Sequence, residues 1–134
     1  MMARSSSLSG TALRLSDVYP VAGAGGFAAG LRECGLDPVT QDGVVRFQAV
    51  PVTGAFAGAT VDCGVAVEDL AGWPAVPPHW LHLPSTVHFA RTNSQPSPLP
   101  GWLRHSRPAS GWGNDASPVP AYLAHVRGIL GEAA

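Results

Sequence analysis

Trp73-Pro74-Ala75-Val76-Pro77-Pro78 packs three prolines into six residues, and its reading decides what the rest of the chain is. Proline holds φ near about −65° and has no N–H to donate, so this stretch is stiff, extended and excluded from a central strand. It must connect elements. On its N-terminal side, Val61, Cys63, Val65 and Val67 share one face of Ala59–Glu68, the period-two pattern of a half-buried strand. Further back, Val45, Phe47 and Ala49 alternate with Arg46 and Gln48 from Val44 to Val50. Thr53-Gly-Ala-Phe-Ala-Gly58 supplies turn chemistry between the two, which predicts a hairpin. On the C-terminal side, His79–Leu83 resumes a strand pattern that Pro84 stops.

Moving outward, Phe27, Leu31 and Cys34 fall at helical spacing and Gly35 is placed to end a short helix. The Ser-, Gly- and Ala-rich residues 1–26 read as a loosely ordered arm. Ser85–Asp115 is rich in Pro, Gly and Trp and lacks steady periodicity, with Phe89, Trp102 and Trp112 as bulky anchors. The last element is an amphipathic helix, in which Pro118 follows the capping residue Ser117 and Val119, Tyr122, Leu123, Val126, Ile129 and Leu130 form one apolar stripe. The class is α+β: a short N-terminal helix, an antiparallel meander, a Pro-rich turn, a long irregular segment and a C-terminal helix. Residues 27–134 read as one domain, since 134 residues suffice for one core and not for two.

A net charge of −1 gives no basic field for phosphates, which excludes a dedicated nucleic-acid binder. Arginine supplies all eight basic residues and lysine is absent, from codon bias in a GC-rich genome or from avoidance of self-modification in a tagging system. Two cysteines without C-x-x-C spacing make neither a disulfide scaffold nor a metal knuckle, and a reducing cytoplasm is the simplest home. No stretch reaches the roughly 20 apolar residues that cross a bilayer, so no membrane association is expected. Gly23-Ala-Gly-Gly26 lacks the Lys-Ser/Thr of a phosphate loop, and no nucleotide or other cofactor is expected.

The order of elements resembles the ubiquitin-conjugating enzyme superfamily, where an aromatic-Pro-x-x-Pro-Pro element follows the third strand of the meander. Trp73, Pro74, Pro77 and Pro78 match it position by position. The C-terminal part is similar to the bacterial branch called prokaryotic E2 family E, which carries a Trp-rich Ser-Arg segment, then Trp and Asp, before its final helix. Trp102, Ser106, Arg107, Trp112 and Asp115 correspond, with Pro108 standing where that family has a histidine. Coverage runs from about Gly43 to Leu130. The resemblance implies a ubiquitin-conjugating-like fold and a part in transferring or presenting a ubiquitin-like protein. It also implies an activating enzyme and a deconjugating peptidase encoded nearby.

A conjugating enzyme holds its cargo as a thioester and needs an accessible thiolate after the proline turn. From Pro78 to Ala134 there is no cysteine. Cys63 lies on the core face of its strand, and Cys34 lies in the last turn of the first helix, where the negative end of the dipole opposes a thiolate. Ser106 beside His105 is the candidate for an oxyester, but neighbours in an extended chain point to opposite sides. Its base would come from elsewhere, with His82, His88 and Asp115 as candidates. His79 and His82 fall on opposite strand faces with no Cys or carboxylate close in sequence, so no metal site is expected. Arg104 and Arg107 with Trp102, Trp112 and Asp115 form a recognition patch, since Trp and Arg dominate interface hot spots; alternatively the two Trp rings only anchor the loop. The expectation is a pseudoenzyme that binds a ubiquitin-like protein or its activating enzyme. The alternatives are an active transferase using Ser106 or Cys34, and an interaction scaffold unrelated to ubiquitin-like proteins.

Overall fold

Two helices lie on one face of a six-stranded antiparallel sheet in a computed structural model that describes residues 22–113 and 117–134. Most of the expected arm, up to residue 21, and Asp115 lie outside the described residues. In chain order the elements are α1 (Gly23–Glu33), β1 (Val39–Gln41), β2 (Val44–Ala49), β3 (Val61–Ala66) and a 3-10 turn (Val67–Leu70). β4 (Trp80–Pro84), β5 (Ser94–Pro96), β6 (Trp102–Ser106) and α2 (Pro118–Gly131) follow. The strands lie in the order β1-β2-β3-β4-β6-β5, so β1 to β4 form a meander and β6 is inserted between β4 and the edge strand β5.

The α+β class, the β2–β3 hairpin and the terminal helix agree with the sequence pattern. All six residues of the predicted stripe, Val119 to Leu130, are buried. Three readings are corrected. α1 starts at Gly23, four residues before Phe27, because the Gly23 N–H donates to Trp73 O at 3.0 Å and so anchors a glycine-rich start that propensity disfavours. β3 ends at Ala66, and Val67 opens the 3-10 turn with 39% exposure instead of joining the core face. Ser85–Asp115 is not a long irregular segment: β5 and β6 lie within it, and β6 pairs with β4 from Trp80↔Ser106 to Pro84↔Trp102.

β1 joins β2 through a two-residue turn, in which Asp42 and Gly43 have φ of 51° and 76° between the paired residues Gln41 and Val44. An Asp-Gly pair tolerates positive φ at both positions and matches the twist of the flanking strands. The core lies between helices and sheet. Phe27 meets Trp73 edge-on at 4.9 Å, Tyr122 at 5.7 Å and Phe47 at 6.0 Å. Truncating a buried ring of this kind costs about 3–5 kcal/mol, so the Trp73 of the proline turn is a principal anchor of the fold. Its bond to Pro74 is cis. Gly30 lets the helices approach, because a Cβ there would run into Val119 of α2.

The face of the sheet away from the helices is also covered. Val44, Ala66, His82 and Leu99 are buried yet stand apart from the main core. This second, thinner layer sets the stage for the site.

Candidate functional site

Antiparallel register places Arg46, Gly64, His82, Arg104 and Gln95 in one row across β2, β3, β4, β6 and β5. Two residues along each strand the same face continues, with Trp102 opposite Pro84 and Ser106 opposite Trp80. Gly64 has no side chain, and a Cβ there would sit 2.6 Å from Val44 Cγ1 and 3.6 Å from the Trp102 ring. That gap allows the Arg46 guanidinium to lie 4.9 Å over Trp102, while Arg104 lies 4.8 Å over Trp80. Each stack is worth about 0.5–1 kcal/mol at an exposed site. Polar partners hold the arginines in place: Arg46 donates to Gln41 Oε1 at 2.8 Å and lies 3.9 Å from Asp62, and Arg104 donates to Gln95 Oε1 at 2.5 Å.

Of the described residues read as a recognition patch, only Trp102 and Arg104 share this face, and Asp115 lies outside the described residues. Arg107 stacks 4.8 Å from Phe89 on the other side of the sheet and donates to Arg91 O at 3.0 Å. Trp112 packs 5.5 Å from Trp73, and its Nε1–H donates to Pro74 O at 2.9 Å, so it anchors the loop on the proline turn. Trp80 and Arg46 complete the aromatic and cationic face, and sequence spacing alone did not single them out.

Ser106 and His105 part as the extended chain requires. His105 turns to the helix side, is buried against Phe89 at 5.0 Å, and meets Thr92 Oγ1 through Nδ1 at 2.6 Å. Ser106 Oγ instead lies 2.5 Å from Nε2 of His79. Of the bases considered from sequence, neither His82 nor His88 takes that place, and Asp115 lies outside the described residues. The β4–β6 register pairs Trp80 with Ser106 and brings His79, the residue before β4, to the end of β6, and nothing local to either residue signals the contact.

Charges gather at this corner. Burial raises the Asp69 carboxyl above the usual carboxylate range, and Glu68 adds to the rise. Arg104, His79 and the Trp80 N–H pull it back in part. His82, 1% exposed, is pushed down to about 4 by burial, then by the charges of Arg104 and His105. Burial and then Arg107 lower His105 as well.

Neither thiol is near this corner. Cys63 is fully buried, and burial followed by the charge of Asp62 pushes its thiol upward, away from thiolate chemistry. Cys34 is exposed at the C-cap of α1 and lines a cleft of about 340 Å³ with Leu36, Gln48, Val50, Pro120 and Arg127. That cleft lies at the Ala49 end of β2, whereas Ser106 aligns with the Val44 end. Among the described residues no group of three or more His, Cys, Asp or Glu is arranged to hold a metal ion, and no helix is long and apolar enough to cross a membrane.

The fold and site define an α+β domain with a covered, Trp- and Arg-lined sheet face. No family model matches the chain, and no curated protein or solved structure shows significant similarity to it.

Proposed function

We propose that this chain is an E2-like component of a bacterial ubiquitin-like protein conjugation system, working in the cytoplasm and binding the ubiquitin-like protein or its activating enzyme. The observation that carries the reading is the position of the proline turn. With β1 present, Trp73-Pro74-x-x-Pro77-Pro78 follows the third strand of a four-strand meander and precedes the fourth. That is the arrangement the ubiquitin-conjugating fold would have. The sequence pattern by itself supplied only two strands before the turn.

The protein handles its cargo without a thioester: the chain after the turn carries no thiol, Cys63 is sealed in the core, and the exposed Cys34 lies at the far end of β2 from the Ser106 corner. Trp102 and Arg104, with Trp80 and Arg46, supply a contact face of the kind that dominates interfaces. Binding of the ubiquitin-like protein and activating enzyme encoded beside this gene, measured by calorimetry with purified proteins, tests the reading. Arg46→Glu with Arg104→Glu reverses both charges on the shared face and should weaken binding at least about tenfold. Unchanged affinity in that double variant removes the interface proposal, and no binding by the wild type to either protein removes the conjugation reading.

A further inference from the structure

Among the described residues three histidines each meet a hydroxyl group, and they are not equivalent. His82 meets Ser97 Oγ through Nδ1 at 2.8 Å, and His105 meets Thr92 Oγ1 through Nδ1 at 2.6 Å. Both rings are buried, and Nε2 of each is buried without a partner among the described residues. These two pairs belong to the packing. The third pair is turned outward: His79 is exposed, Ser106 is half-buried, and the contact is made through Nε2.

We propose that Ser106 is an acyl-accepting nucleophile with His79 as its general base, and that its donors are activated carboxyl groups such as thioesters and aryl esters. The inference does not rest on the conjugation reading. A serine hydroxyl is a poor nucleophile until a base within hydrogen-bond reach takes its proton, and Ser106 Oγ lies 2.5 Å from Nε2 of His79. The pair sits on backbone that is held from both sides. The Arg107 N–H donates to His79 O at 2.9 Å, the Ser106 N–H donates to Asn93 O at 2.9 Å, and Pro77 and Pro78 stiffen the approach to His79. Ser106 closes the paired strand β6, which fixes a reactive group better than a loop does, and His79 is the residue just before β4.

The surrounding charges suit the same step. The Asp69 carboxyl lies within electrostatic reach of His79, which with Arg104 helps to hold that carboxylate charged beside the pair. Arg104 is two residues from Ser106 on the same strand face, and it brings positive charge to the side where a tetrahedral oxyanion would develop. In the step, Ser106 Oγ attacks the acyl carbon and its proton passes to His79 Nε2. The tetrahedral adduct then collapses, the carbon–sulfur bond of a thioester breaks, and the leaving thiolate takes the proton from His79. The products are a serine ester and a free thiol.

A fluorophosphonate probe tests this on the full chain, because it forms a serine–phosphorus bond with loss of fluoride and makes the same demand on the base. Intact mass and peptide mapping should find one adduct at Ser106, with Ser97 and Thr92 unlabelled. Ser106→Ala should abolish it, and His79→Gln should slow labelling about 100-fold, the low end of what general-base catalysis contributes. A parallel arm follows thiol release from an acetyl thioester, with the same ranking of variants. Thermal melts keep loss of reactivity apart from loss of fold, since both residues lie at the surface. No adduct on the wild type beyond that on urea-unfolded protein, an adduct at another residue, or equal rates for wild type and a folded His79→Gln would each overturn the assignment.

Discussion

Lowering the pH from 7 to 5 should weaken the fold through a histidine that it keeps neutral while the unfolded chain takes up the proton, and the size of the effect follows from the ring's surroundings. Ser97 Oγ accepts the Leu99 N–H at 3.1 Å, which leaves its own O–H to donate to His82 Nδ1 at 2.8 Å. The neutral ring then carries its hydrogen on Nε2, which is buried without an acceptor among the described residues. A second proton would meet burial and the Arg104 charge together. In the unfolded chain this ring binds a proton below about pH 6.5, whereas in the fold it does so only near about 4. Its contribution is therefore complete above pH 6.5 and is lost as the pH falls toward 4. The displacement corresponds to about 3 kcal/mol in full, of which about 2 kcal/mol is gone by pH 5. His105 is lowered too and adds loss of the same sign. Asp69 is raised, so its contribution is present at low pH and lost as pH rises, and it offsets part of the loss. Urea unfolding followed by tryptophan fluorescence at pH 7 and pH 5 measures the total, and His82→Phe isolates the share of this ring. That variant is less stable at both pH values, since Ser97 loses its acceptor, but its pH dependence should be shallower by about 2 kcal/mol. Equal losses in wild type and His82→Phe, within about 0.5 kcal/mol, would refute the argument.

Two further outcomes follow from packing. Gly64→Ala places a Cβ 2.6 Å from Val44 Cγ1, and because Val44 is fully buried and β-branched it has little room to yield. The variant should lose about 1–3 kcal/mol at an unchanged denaturant slope, and a loss below about 0.5 kcal/mol would show that the covered sheet face is loosely packed. In native protein, a thiol-specific reagent should modify Cys34 and spare Cys63, with the second thiol reacting only in denaturant. Rapid reaction of both thiols without denaturant would contradict the burial that supports a thioester-free reading.

The terminal helix was readable because its six apolar residues fall on one stripe and all six are buried against a single surface. The β2–β3 hairpin was readable for the same reason: Val45, Phe47 and Ala49 face the helices and their neighbours do not. β1 was missed because all three of its residues are exposed, leaving no burial pattern, although Asp42-Gly43 is a strong local hairpin signal. β6 was missed for the opposite reason. Trp102, Leu103 and Arg104 are all half-buried, since both faces of the strand are partly covered, and so the alternation is erased. β5 is a wholly exposed edge strand of three residues. The start of α1 could not be read from glycines whose helical state depends on a hydrogen bond to Trp73.

The site divides along the same line. Sequence alone established that Ser106 and His105 face apart, that the chain after Pro78 holds no thiol, and that three prolines must lie between strands and not inside one, because each follows from local geometry or composition. Only the tertiary structure decided that His79 meets Ser106, that Trp102 and Arg104 share a face with Trp80 and Arg46, and that Arg107 and Trp112 serve elsewhere. Those outcomes depend on the register between strands far apart in sequence, and a register is set by the packing of the whole sheet.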